Sequence, residues 1–263
     1  DKDSMVEAIE ERAFSWCTKL RVIQLSKRLT NIGDYAFENC ISLDAIFIPP
    51  SIQQIDSFAF CDCKNLRVVS LPKKQRHQQQ IDFGRGILRR CRSLFRITQG
   101  ELQEYELVND NSDDVHQSLI NFYASLPPLH IVCLSCNVTT QSIHECIRHH
   151  GRAAAFSTIY GDDGGGGTMT PLHILAMNPY VNPSSIVTCL ELNINAAITN
   201  DDYLGLSPID YLWEYGNINC LIPIIQALCL HREAYSISSM DTCSTQNQGE
   251  ALSSKRKRVE SVN

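Results

Sequence analysis

The sequence lacks several features that would point to whole classes of protein. No apolar run approaches the roughly 18 residues of a membrane-spanning helix. Positive charge is not in excess, because 23 Lys and Arg stand against 29 Asp and Glu, and the resulting net charge of −6 disfavours general nucleic-acid binding. No nucleophile elbow or paired-carboxylate motif is present. We therefore expect neither an enzyme nor a small-molecule substrate, a cofactor or a membrane span.

The N-terminus also shows no secretory signal. However, the chain begins at Asp1 rather than Met and enters almost directly into a repeat. A fragment without its true N-terminus is compatible with such a start, so the missing signal is weak evidence about the compartment.

The dominant positive feature is a repeat of 23 residues between Ile9 and Leu71. The aligned positions are Ile9, Ile32 and Ile55; Ala13, Ala36 and Ala59; Phe14, Phe37 and Phe60; Cys17, Cys40 and Cys63; Leu20, Leu43 and Leu66; Ile23, Ile46 and Val69; Leu25, Ile48 and Leu71. A fixed short period is the signature of a solenoid, in which each coil buries its apolar face on the next. A fourth coil follows after a polar insertion at Lys73–Gln80, with Phe83, Cys91 and Leu94 in the corresponding positions.

These residues resemble the BspA-like leucine-rich repeat. The pattern is Ile-x-x-x-Ala-Phe-x-x-Cys-x-x-Leu-x-x-Ile-x-Ile-Pro, and the segments at 33–40 and 49–52 match it closely. The resemblance covers residues 1–98, in about four coils. It implies a right-handed β-solenoid that mediates binding and is not a catalyst.

Twelve cysteines raise the question of disulfides. Four of them, Cys17, Cys40, Cys63 and Cys91, occupy the same slot of successive coils, where a small buried residue packs like a hydrophobe. We expect a ladder of reduced thiols, because disulfides are rare in intracellular proteins. Oxidised pairs in an extracellular protein are the alternative.

Basic residues cluster around the fourth coil: Lys73, Lys74, Arg76, Arg85, Arg89, Arg90, Arg92 and Arg96. A solvated rim is the favoured interpretation, and a patch for an acidic partner is the alternative.

Residues 99–125 follow as an acidic connector and a helix from Val115 to Ser125, with Asp114 as its N-cap.

The second half, residues 126–235, repeats less regularly. Pro128-Leu129-His130-Ile131 corresponds to Pro171-Leu172-His173-Ile174, 43 residues later, and a third copy starts at Ser207-Pro208. These copies resemble ankyrin repeats, of which Thr170-Pro171-Leu172-His173 is the signature. The resemblance implies about three helical repeats and a hydroxyl–imidazole contact between Thr170 and His173. Pro127 and Asp210 depart from that signature, so the hydrogen bonds of the first and third copies must differ. We expect a capping helix from Asn217 to Leu230, bent or shortened by Pro223.

Residues 236–263 are polar, and we expect a disordered tail. Its basic run, Lys255, Arg256, Lys257 and Arg258, is either a nuclear import signal or an ordinary charged tail segment.

One further motif resembles a metal site but is explained by packing. Cys133 and Cys136 with His149 approach a zinc-finger spacing, but Cys133 falls on a core slot of a helical pair, so no metal site is predicted.

The sequence thus predicts a two-part repeat protein, a leucine-rich β-solenoid followed by an ankyrin-like helical array, that binds protein partners. The expected contacts are the outward strand positions of the coils and a connecting finger of the array: Val22, Gln24, Ala45, Phe47, Val68, Ser70, Asp201, Asp202 and Tyr203. Phe47 either anchors an interface or packs under a neighbouring strand residue. Two functions remain open, an intracellular adaptor (cytoplasmic or nuclear) and an extracellular adhesion module.

Overall fold

The computed structural model describes residues 3–72, 81–91, 93–94, 126–159, 169–201 and 204–232. The N-terminal region, up to residue 94, contains six short strands: β1 Ala8–Ile9, β2 Asn31–Ile32, β3 Ala45–Phe47, β4 Gln54–Ile55, β5 Val68–Ser70 and β6 Asp82–Phe83. The helical region, from residue 126, contains α1 Pro128–Leu134, α2 Thr140–His150, α3 Pro171–Met177, α4 Pro183–Leu192, α5 Pro208–Glu214 and α6 at residues 221–232. The expected connector, its helix and the tail lie outside the described residues.

The strands form two parallel ladders in the register that the 23-residue period predicts. One ladder runs β1-β2-β4-β6 and pairs Ile9 with Ile32, Ile32 with Ile55 and Ile55 with Phe83. The other pairs β3 with β5 and continues to the first repeat through a bridge between Val22 and Ala45. Because residues at the same slot of successive repeats are hydrogen-bonded neighbours, the predicted register of the first region is confirmed.

The interior of this region is a stack of identical slots. Phe14, Phe37 and Phe60 stack with ring centroids 5.1 and 5.2 Å apart. Beside them, each cysteine thiol donates to the backbone carbonyl of a phenylalanine in the preceding repeat: Cys40 to Phe14 at 3.2 Å and Cys63 to Phe37 at 3.1 Å. The slot therefore selects a residue that is small, apolar and able to donate one weak hydrogen bond.

Each repeat also holds two residues in the left-handed backbone region, four positions apart. The first slot contains Arg12, Tyr35, Phe58 and Gly86, with φ between 54° and 59°. The second slot contains Trp16, Asn39, Asp62 and Arg90, with φ between 56° and 61°. This conformation costs a non-glycine residue about 1–2 kcal/mol, and the aromatic residues in it are therefore held there by their surroundings.

The helical region consists of helix pairs in which the first helices stack on one another and so do the second helices. Helix α3 packs against α1 and α5, and α4 packs against α2. Each first helix begins with proline, at positions 128, 171 and 208, where the missing N–H group would have no helical partner. A short 3₁₀ segment follows α2 and α4, at Arg152–Phe156 and Ile194–Ile198.

Polar side chains join successive helix pairs in a regular way. The Asn178 amide donates to the carbonyls of Cys133 and Ser135 at 2.8 and 2.9 Å, and the Asn217 amide donates to those of Ala176 and Asn178 at 2.8 and 3.1 Å. These bonds satisfy carbonyls that the end of each first helix leaves without helical partners. The same connection repeated between pairs indicates a regular stacked arrangement.

The expected contact between Thr170 and His173 is present. His173 Nδ1 lies 2.9 Å from Thr170 Oγ1 and accepts from the Thr170 backbone N–H at 3.0 Å. In the first copy, where Pro127 supplies neither group, His130 Nδ1 is buried without a hydrogen-bond partner. In the third copy Ser207 Oγ donates to the Asp210 carboxylate at 2.7 Å instead. The departures from the signature thus change the local hydrogen bonding as predicted.

The last α-helix starts later than the expected Asn217, in agreement with the prediction that Pro223 shortens it. A 3₁₀ turn at Ile218–Cys220 precedes α6, and Pro223 occupies the first turn of that helix. Its missing N–H group is therefore one that would have no helical partner in any case.

Candidate protein-interaction surface

The outer face of strands β3 and β5 is covered by the helical region of the same chain. Ala45, Phe47, Val68 and Ser70 are all at most 3% exposed. Ser70 Oγ donates to the carbonyl of Leu134 at the end of α1, at 2.5 Å. The buried residues of both regions form one continuous hydrophobic cluster. The β3–β5 sheet is thus buried on both faces, as parallel sheets usually are.

The prediction that these strand positions face solvent is therefore wrong for the four buried residues. Val22 and Gln24, in the first repeat, are half-buried. Gln24 Nε2 donates to the backbone carbonyl of Tyr215, so the first repeat also contacts the helical region.

Three charged residues, which we call the docking row, occupy one slot of successive repeats: Arg21, Asp44 and Arg67. Each of them directly follows the repeated leucine of its coil and binds the helical region. Arg21 pairs with Glu214 at 2.8 Å, Asp44 accepts from the Tyr215 hydroxyl at 3.2 Å, and Arg67 pairs with Asp201 at 3.2 Å.

Arg67 is the centre of a buried network. Its Nε donates to Asp44 at 2.7 Å, and its Nη2 donates to the Tyr211 hydroxyl at 2.6 Å. The Tyr211 hydroxyl in turn donates to Asp201 at 2.7 Å. The side chains of Arg67, Asp44 and Asp201 are 6%, 3% and 1% exposed. Every nitrogen of the guanidinium group therefore has a partner, which is the condition for a buried ion pair to persist.

The groups of this network keep their ordinary protonation states although they are buried. Desolvation alone would lower the pKa of Arg67, but the combined contributions of Asp44, Tyr211 and Asp201 outweigh it and raise that pKa above its ordinary value. Burial also raises the pKa values of Tyr211 and Tyr215, which keeps both hydroxyls protonated as donors. The contact between the two regions is thus electrostatically fixed around one cation.

The predicted finger residue Asp201 belongs to this network rather than to a free surface. Asp202 and Tyr203 lie outside the described residues, as do Lys255, Arg256, Lys257 and Arg258. Arg67, Tyr211 and Tyr215 were not predicted as site residues. One sequence feature could have identified Arg67, namely the alternation of Arg21, Asp44 and Arg67 in one slot of successive repeats. Neighbouring repeats bring these opposite charges close together, so they are expected to pair with each other or with a common partner.

On another side of the N-terminal region, a row of aromatic and basic side chains remains partly exposed. This turn row consists of Arg12, Tyr35 and Phe58, in the first left-handed slot. The Tyr35 and Phe58 rings stack at 5.1 Å, and the Arg12 guanidinium lies 5.0 Å from the Tyr35 ring centroid. Arg89 covers the Phe58 ring at 6.0 Å. Trp16, in the second left-handed slot, is 66% exposed.

The residues with near-zinc-finger spacing differ in their surroundings. Cys133 is buried in α1 beside the thiol of Cys189, whereas His149 is exposed on α2. Among the residues that the structure describes, no group of three or more His, Cys, Asp or Glu side chains could hold a metal ion. Within the same ranges, no helix combines the length and the apolar character needed to cross a membrane.

Comparison with known proteins gives a match for the first region only. No curated protein and no solved structure matches the chain. Residues 2–99 match the family model of the BspA type leucine rich repeat region (6 copies), which is the part of the chain that forms the two parallel ladders.

Proposed function

We propose that this chain is a non-catalytic scaffold that binds protein partners. It is built from a leucine-rich solenoid and a divergent ankyrin-type array docked onto it. The ankyrin-type assignment is supported by the Thr170–His173 contact, the amide bonds of Asn178 and Asn217, and the antiparallel bridge between Ile159 and Met169 that precedes α3. Repeat arrays of both kinds offer extended surfaces suited to protein recognition.

The turn row supports this function most directly. The strand face of the solenoid is occupied by the helical region, so a partner must use another side. On the turn side, stacked aromatic rings remain partly exposed although their backbone conformation is costly for them. Strained residues at a surface point to function, and arginine–aromatic clusters are typical of interface hot spots.

The thiols favour an intracellular scaffold over an adhesion module. Eleven cysteines are free among the residues described, and eight of them are buried. Burial raises the pKa of the Cys40 thiol to about 11 and that of Cys61 to about 12, which makes both slow to oxidise. A chain of this size that folds around many buried thiols fits a reducing compartment.

The test uses the whole chain as bait in crosslinking pull-downs, because the two regions share one core. Partners should be lost with Tyr35→Asn and Phe58→Asn together, since Asn tolerates the left-handed conformation but removes the aromatic surface. The matched control is Asn39→Gly, at the other left-handed slot of the second repeat, which should retain the partners. Equal retention by all three chains would contradict the turn row as the binding surface.

A further inference from the structure

The last helix, α6, has two apolar faces. One face is buried in the array and includes Cys220, just before the helix, and Ile224, which are 2% and 0% exposed. The other carries the α6 stripe, which consists of Ile222, Ile225 and Cys229 at helical spacing together with Ile218 in the 3₁₀ turn just before the helix. Ile218, Ile222 and Ile225 are 51%, 66% and 53% exposed, and Cys229 is exposed as well.

Within the described ranges this second face is open to solvent. An exposed outer face of a repeat array is normally polar, which keeps the array soluble. Scattered exposed hydrophobic residues are common, but a continuous apolar stripe on one helix marks an interaction site.

The charges around the stripe favour a second copy of this chain as its partner. Residues 218–230 contain no Asp, Glu, Lys or Arg. In a two-fold symmetric interface each residue near the axis meets its own counterpart, so any charge there would be repelled by itself. A stripe of uncharged residues is self-complementary, and an antiparallel pair of such helices buries both stripes at once.

The remaining C-terminal residues, 233–263, fit the stripe less well. They are rich in Ser and include the basic run at 255–258, whereas an apolar stripe selects a partner that is apolar at helical spacing.

We propose that the α6 stripe is a homodimer interface in which α6 packs antiparallel against α6 of a second copy. The interface lies at the end of the helical region and is independent of the turn row. The dimer would therefore present two turn rows to partners.

Sedimentation equilibrium of the full chain tests the proposal. We expect a species of twice the 29.6 kDa chain mass. Ile225→Glu and Ile225→Lys should each raise the dissociation constant roughly 100-fold or more, because like charges would then be buried together without partners. Gln226→Lys, at a neighbouring exposed position off the stripe, should leave the dimer unchanged.

An equimolar mixture of the Ile225→Glu and Ile225→Lys chains should form dimers again, since the opposite charges meet across the two-fold axis. Failure of the mixture to associate would overturn the pairing of α6 with α6. Far-UV circular dichroism verifies that each variant retains its helices. A wild-type chain that stays monomeric overturns the proposal. If removal of residues 233–263 then produces dimers, the tail is the occupant of the stripe.

Discussion

Arg67 is the residue on which the contact between the two regions depends most directly. Its guanidinium group joins Asp44 of the N-terminal region to Asp201 of the helical region. Its removal would leave two buried carboxylates without a counter-charge, and breaking a buried pair in this way costs about 3–5 kcal/mol. The stability of the whole chain thus rests heavily on a single side chain.

We therefore expect Arg67→Leu to lower the free energy of unfolding by about 3–5 kcal/mol, measured by urea denaturation. Arg90→Leu is the matched control, because Arg90 pairs with Asp62 at 3.5 Å but its side chain is 63% exposed. Exposed pairs contribute about 0–1 kcal/mol. Similar losses for the two variants would show that the buried network does not stabilise the fold.

The buried side chains of His130 and His173 should make the stability of the fold depend on pH. Burial lowers the pKa of each from 6.5 to about 4. Between these values the unfolded chain binds more protons than the folded chain, so stability falls as the pH decreases from about 6.5 to about 4. Each histidine accounts for a loss on the order of 3 kcal/mol, fully developed only below the folded pKa.

Urea midpoints at a series of pH values between neutrality and pH 4.5 measure this loss. His173→Gln should remove about half of the loss, because a neutral amide does not titrate whereas His130 still does. His144→Gln, at an exposed position of α2, should leave the curve unchanged. A stability that is constant over this range would contradict the burial of neutral histidines.

At the scale of the elements, the regular slots explain why so much of the first region could be predicted. A residue such as Ile32 contacts its equivalents Ile9 and Ile55, so the period alone sets strand register, core and thiol ladder. The outer face of β3 and β5 could not be assigned from the period. The sequence predicted its residues, including Ala45 and Phe47, as exposed contacts for a partner, because the period does not show that a distant part of the same chain covers them.

The thiol ladder gives a prediction with an internal control. Cys63→Ala should cost about 1–2 kcal/mol, since it removes the bond to the Phe37 carbonyl and leaves a small void. Cys17 occupies the same slot of the first repeat but is exposed, and Cys17→Ala should change stability by less than about 0.5 kcal/mol. Thermal unfolding of both variants measures the difference. Equal effects would mean that burial and the hydrogen bond to the Phe37 carbonyl do not stabilise the fold.

At the scale of the whole molecule, the shared hydrophobic cluster makes the two regions one cooperative unit. The chain contains two tryptophans, Trp16 in the first region and Trp213 in the helical region. Trp16→Phe and Trp213→Phe therefore give chains in which fluorescence reports on one region at a time.

We expect the two single-tryptophan chains to unfold at the same urea concentration, coincident with the loss of helical circular dichroism. Adding Arg67→Leu should separate the two fluorescence transitions, because it weakens the contact without altering either set of internal repeats. Two distinct transitions in the parent chains would show that the regions fold independently.

The sequence distance across the docking row has a consequence for how this protein is made. Arg67 and its partner Tyr211 are 144 residues apart. At a synthesis rate of about 5–20 residues per second, a ribosome needs roughly 7–30 s to reach the second after the first. Throughout that interval the nascent chain carries an incompletely covered apolar face of β3 and β5, and the Arg67–Asp44 pair still lacks its contact with Tyr211. Translation speed between these positions therefore sets how long a chaperone must shield that face.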